Sequence, residues 1–336
     1  ITGAATFTAA NGQNIYLDNR DSSDTLFAIH TFSGAVTFAA SSGNLLNVTV
    51  RNSGAFDFGA ALTLATGGNL IVTAGGNVTQ TGGALTVPGT TTVSAAGKTV
   101  TLSNSSNNFT GAVSIDADTV DLEDANAIVL GASTVTGNYL VTAAGAVTQN
   151  SDTAQAGSST TITLATGAST ANDEYNSVSV YISSGTGAGQ SRTISDYVGS
   201  TKVATVSSAW ATTPDNTSVY ELGALDITGT TTVSASGQNV TLANTSNDFR
   251  DAVIITGADV ELVDADTIDL GASTISGEYD VLAKLGNITQ SGNLTVNNSK
   301  ASTFETQGDN GTITLNTAGL TNAFSGTVKL TTTGSS

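Results

Sequence analysis

The residues best suited to chemistry in this sequence are carboxylates at strand spacing. One group is Asp116, Asp118, Asp121, Glu123 and Asp124, and a second is Asp259, Glu261, Asp264, Asp266 and Asp269. Carboxylates two apart on a strand project from one face. Stacked strands would then bring several within reach of a Ca²⁺ ion, which takes six to eight oxygens. Two carboxylates facing a groove would also suffice for glycoside cleavage. Two features weigh against chemistry. The carboxylates fall at repeated positions, whereas a catalytic site normally interrupts a repeat, and the Gly-Gly nonapeptide that marks calcium-binding coils is absent. A solvated outer face that keeps a rod soluble explains the same pattern. No catalytic, cofactor-binding or metal-ligating residue is therefore assigned, and Ca²⁺ stays an alternative only.

The elements that position these acids come from an internal repeat. Gly83 to Ala143 returns as Gly223 to Ala283, 140 residues later, with 35 of 61 positions identical. The phrase Gly76-Asn-Val-Thr-Gln80 recurs as Gly145-Ala-Val-Thr-Gln149 and Gly286-Asn-Ile-Thr-Gln290, and the first interval of 69 residues sets a unit near 70. Inside it the apolar residues fall as i, i+2 pairs: Val100 and Leu102, Val113 and Ile115, Val120 and Leu122, Ile128 and Leu130. That period belongs to short strands with one face inward. Clusters such as Ser103 to Asn108 between the pairs read as corners. The expectation is an all-β chain: a right-handed parallel β-helix (β-solenoid), three strands to a coil and about three coils per unit, with the hand taken from strand twist.

The period breaks once, after Gln149, and resumes at Gly223. Residues 1–150 and 223–336 are read as β-helix repeats, and 151–222 as an inserted small β-domain. The insert carries the only Trp, Trp210, and four of seven Tyr: Tyr175, Tyr181, Tyr197 and Tyr220. Strands are expected at Thr160 to Leu164, Ser177 to Ile182, Lys202 to Ser207 and Ser218 to Glu221. The rings would build a compact core, or alternatively a platform on which sugars stack. Extra residues from Arg20 to His30 read as a surface loop, with His30, the single histidine, a loop side chain. The glycine-rich run Gly185 to Gly189 lacks the Gly-Lys-Ser/Thr of a phosphate loop. Asn-X-Ser/Thr triplets at Asn47, Asn77, Asn108, Asn239, Asn244 and Asn287 leave glycosylation open.

Composition narrows the function class. Apolar residues make up 39% and charged residues 11%, and the net charge is −18, with nine Lys plus Arg scattered singly. Such a surface repels nucleic-acid phosphates and anionic lipid, so no nucleic acid and no membrane insertion of this segment are expected. No run approaches the roughly 20 apolar residues of a spanning helix. The sequence has neither Cys nor Met, which fits a bacterial extracellular repeat protein and a processed product or a window of a longer chain.

Gly286-Asn-Ile-Thr-Gln-Ser-Gly-Asn-Leu-Thr-Val296 and Asn247-Asp-Phe-Arg-Asp-Ala-Val253 resemble the repeats of filamentous-haemagglutinin-type bacterial surface proteins. The likeness covers residues 1–150 and 223–336. It implies a secreted β-helical shaft of a large adhesin or exoprotein, with no family-wide catalytic residue to carry over. The insert, through Ser183 to Gln190 and Arg192 to Tyr197, resembles small β modules of phage structural proteins. The expected function is a non-enzymatic shaft outside the cell or at its surface, in a large adhesin or an end-to-end filament. Its partners would be further copies or flanking repeats met through the open coil ends, and a host-surface or glycan ligand. The alternative is a tailspike-like or glycan-processing β-helix, which loss of a glycan-cleaving activity on changing Asp121 and Asp124 to Ala would reveal.

Overall fold

The computed structural model describes residues 1–18, 30–169, 172–297 and 299–333. Among these there are strands and turns but no helix, and parallel sheets stack as a β-solenoid of about 13 turns. At about 4.8 Å per parallel pairing the shaft is roughly 60 Å long. The loop expected at Arg20 to His30 lies outside the described residues up to position 29.

Alternation of β-branched and small residues determines which side of each strand is buried. Val48–Asn52 and Leu70–Ala74 both bury every second residue, and the inward row Val50, Val72, Val93 and Ile115 is at most 1% exposed across four coils. Corners recur as tight turns in which a glycine takes the left-handed backbone that other residues avoid. In Ala95 to Lys98, Lys98 N–H donates to Ala95 C=O at 2.9 Å around Gly97, whose φ is 67°. Gln238 N–H repeats this bond to Ala235 around Gly237.

Two long ladders run the length of the shaft, one beginning at Ala5–Ala9 and the other at Ile15–Leu17. A third side is carried early by Leu62–Thr63, Leu85–Val87 and Asn108–Phe109, and further along by Ser133–Val135, Leu225–Ile227 and Asp248–Phe249 and by Ile268–Leu270 and Ile288–Gln290. Three strands to a coil therefore holds along the shaft. One coil tightens after Phe109, where Val113–Ala117 pairs with both Ile128–Leu130 and Ser133–Val135 and Val113 meets Leu130 only 17 residues on.

The repeat is also longer than three coils. Thr91–Ser94 sits on the second long ladder, and its copy Thr231–Ser234 sits on the first. Thr99–Leu102, immediately after Thr91–Ser94, reaches Thr231–Ser234 in three ladder steps, through Thr119–Asp124 and Tyr139–Ala143. One unit thus spans three full coils and one further side, or about three and a third coils. Successive copies are turned relative to each other by one of the three sides.

Residues 151–222 leave the stack and form a seven-stranded antiparallel sheet in the order Ser151–Thr153, Val219–Leu222, Ser179–Ser184, Ser191–Val198, Val203–Val206, Thr161–Thr163, Ala156–Ser158. The sheet has its own apolar cluster around Ile162, Val180, Ile194, Tyr197 and Trp210. Below it the ladders continue as though nothing had intervened: Val147 pairs with Val240 and Tyr139 with Thr231. The chain returns through Gly223, whose φ is 79° and where a Cβ would come within 2.2 Å of the Ala132 Cβ. Only glycine fits there.

Candidate functional site

In a stack of coils the groups that matter most are those that hold one coil in register on the next. The Gln that ends each Gly-X-Val/Ile-Thr-Gln phrase is one half of such a device. Gln149 Nε2 donates to Asn247 Oδ1 and Asn247 Nδ2 donates to Gln149 Oε1, both at 2.8 Å. The two amides form a closed reciprocal pair 98 residues apart in sequence, spanning the insertion. The same pair forms between Gln80 and Asn107 and between Gln290 and Asn322. Each Asn Oδ1 also accepts a backbone N–H of the neighbouring coil, from Leu85, Leu225 or Leu294. A buried amide pair with every group bonded specifies register, since a slip would orphan several groups at once.

Asparagines at the corners form a second axial device. Asn14 Oδ1 accepts Asn47 N–H, Asn47 Oδ1 accepts Asn69 N–H, and Asn69 Oδ1 accepts Thr90 N–H, at 2.8 to 3.1 Å. Further triplet asparagines work in the same way, Asn77 on Thr99, Asn239 on Asp259 and Asn287 on Thr312. Asn244 is fully buried and donates to Gly223 C=O, so no glycan fits on it in the folded chain.

The carboxylates do not form one outer face. Asp124 is 2% exposed, and its two oxygens accept Phe109 N–H at 2.6 Å and Asn126 N–H at 2.7 Å. Asp264, wholly buried, does the same for Phe249 and Asp266. These two acids brace a corner from inside, which corrects their placement on the surface. Burial raises the pKa of both against those backbone bonds, for Asp264 to about 7. Asp116 and Glu261 do point outward. The one-side offset between copies, however, puts Asp121 on the first ladder and Glu261 on the second, so the two acidic groups cannot build one column. Asp118 accepts the hydroxyl of Thr136, Asp259 the N–H of Glu278, and Asp269 the hydroxyl of Thr289. Among the described residues no three of Asp, Glu, His and Cys converge to hold a metal ion.

Other candidates also have structural places. His30 is no free loop side chain: it bridges to Asn52 in parallel and stacks on Phe32 with ring centroids 5.6 Å apart. The Asn52 amide fixes that segment by bonding both the N–H and the C=O of Phe32. Trp210 is 6% exposed, covered by the Arg192 guanidinium 5.3 Å above its ring, and its Nε1 donates to Thr161 C=O at 3.3 Å. Tyr197 and Tyr220 are buried with it. No ring of these three is free to carry a sugar. Gly185 to Gly189 form the hairpin tip between two strands of the insert, with φ positive at Gly185, Gly187 and Gly189.

The repeat architecture agrees with comparison to known sequences. A family described as repeats of unknown function (DUF5649) matches residues 45–116, 117–181, 191–256 and 257–331. The chain belongs to this family. Its matched segments are close to the 70-residue unit in length, and two of them run into residues 151–222. No curated protein and no solved structure matches the chain.

Proposed function

We propose that this chain is a non-enzymatic structural shaft that works outside the cell or at its surface, either within a large repetitive adhesin or in a filament assembled end to end. The observation that carries the reading is register kept through an interruption. The Gln149–Asn247 pair and the ladders close across 151–222, as expected where axial continuity is the property that matters. In such a stack each coil contacts chiefly its neighbours, so stability and length grow with coil number.

The coil ends are the proposed partner surfaces. Leu330 lies on the inward row above Phe304, yet is 56% exposed, because among the described residues no strand covers it on that ladder. A further coil, from flanking repeats or from another copy, would cover it and pair the open backbone edge. Sedimentation velocity over a range of concentrations tests this, with a Phe324→Lys/Leu330→Lys variant beside the native chain. The reading predicts the friction of an elongated rod and end-to-end species that the variant loses. A compact closed trimer, unchanged by the variant and able to cleave a polysaccharide, would refute it.

A further inference from the structure

The sheet of residues 151–222 does not lie flush on the shaft. Between them three cavities of about 390, 470 and 360 Å³ follow one another along the strand direction. Thr90, Asn150 and Tyr175 line both the first and the second, and Thr92, Ser114 and Val178 line both the second and the third. They form one groove across the rod. Its floor is an outward row of the second long ladder, in which Ile71 pairs with Thr92 and Thr92 with Ser114. Its roof carries Glu174 and Tyr175.

We infer that this groove binds a neutral, hydroxyl-rich oligosaccharide. Glu174 carries the argument. Its side chain is partly buried in the groove and, among the described residues, has neither a hydrogen-bond partner nor a cation beside it; burial alone raises its pKa. A half-desolvated carboxylate without partners still loses solvation, and hydroxyls entering the groove would supply the missing donors. Across from it the side chains of Thr92, Ser114 and Asn150 also make no hydrogen bond within the described structure. Neutral donors and acceptors thus face a carboxylate over a cavity of ordinary ligand size. Tyr175 is held edge-on to Tyr197, with centroids 4.7 Å apart, and its hydroxyl accepts Ser169 N–H. The rest of the ring gives an apolar surface for the C–H face of a sugar.

Charge excludes one ligand class. Glu174, Asp173 and Asp116 along the groove repel uronates and sulfated sugars, while Asp226 is paired with Arg250. Lys202, at the far end, donates to the carbonyls of Ala168 and Ser169 and is outnumbered by these acids. The uncharged Thr92, Ser114 and Asn150 opposite Glu174 are what favour a neutral glycan over a cationic one. This inference does not rest on the shaft reading, because a rod of any role could carry the groove.

The test is titration calorimetry of the full chain with neutral gluco-, manno- and galacto-oligosaccharides, with polygalacturonate and chitosan oligomers as charged probes. At least one neutral probe is expected to bind. Glu174→Ala should weaken it about tenfold or more, as loss of hydrogen bonds to a charged group does. Thr92→Trp, which fills the groove from an outward position, should abolish binding, while Leu285→Ala, on an exposed corner, should leave it unchanged. Circular dichroism of each variant separates loss of binding from loss of fold. Failure of every neutral probe, binding of a charged probe alone, or binding that survives Thr92→Trp would overturn the inference.

Discussion

Replacing Asn247 by Ala tests the amide pair where the chain is least continuous. The side chain holds Gln149 Nε2 and Leu225 N–H, at 2.8 and 3.0 Å. Gln149 Oε1 would keep the N–H of Asn244, but its Nε2 and Leu225 N–H would lose their acceptor. Each orphaned buried donor costs about 1–3 kcal/mol, so Asn247→Ala should cost about 2–6 kcal/mol before any cavity effect. The equivalent Asn107→Ala should cost less, because Gln80 Nε2 also donates to Gly83 C=O at 2.8 Å. Leu85 N–H is then orphaned, at about 1–3 kcal/mol, while Gln80 Oε1, which also loses its donor, is only half-buried and open to water. A linear stack need not unfold in one step, so native-state hydrogen exchange at the Leu225 and Leu85 amides is the assay. Faster exchange is expected at both sites, with the larger change at Leu225. Equal effects, the reverse order, or unchanged exchange at Leu225 would refute the register argument.

Three further outcomes follow from the same geometry. Tyr139 and Tyr279 are buried with their hydroxyls near those of Ser133 and Ser273 but not within hydrogen-bonding geometry of them, and Thr91 is buried with its hydroxyl unbonded. Tyr139→Phe or Thr91→Val should therefore leave stability equal or raise it by up to about 1 kcal/mol in urea denaturation, against the usual loss. Glu221, 6% exposed with one oxygen unbonded, has its pKa raised to about 7 by burial, with a bond from Ser183 opposing and the nearby Glu261 adding to the rise. A raised carboxyl binds more protons folded than unfolded, so its contribution is full below about pH 4 and is lost as pH rises through about 7. Thermal melts should show the insert more stable at pH 5 than at pH 8, with the difference reduced but not abolished by Glu221→Gln, since burial raises the pKa of Glu174 as well. Leu222 N–H donates to Asn150 C=O at 2.9 Å, so the ends of the insert lie side by side. Replacing residues 150–222 by the Thr-Gly that links Gln80 to Gly83 should leave the shaft folded, with protected amides at Val147 and Val240.

The solenoid was legible because Val, Ile and Leu at i, i+2 between Gly and Asn corners admit few other folds, and the insert because its aromatics interrupt a strict period. The one-side offset between copies was not, since a 70-residue period leaves the number of residues per coil open until Val113 is seen to pair with Leu130. Asp124 and Asp264 were misplaced because alternation puts them with the inward residues Leu122 and Leu262, while their charge argued for the surface. The repeated Gln was visible in sequence, but its partner lies 27 or 98 residues away. In the insert, Ser191–Val198 escaped notice because a bulge between Ile194 and Asp196 breaks its alternation.

The most direct measurement is negative-stain electron microscopy of the purified chain over a range of concentrations. The account predicts straight rods about 60 Å long for a single chain at the parallel-strand rise, each bearing one lateral knob near mid-length, that extend only at their ends. Compact trimers, or rods bent or broken at the knob, would contradict it.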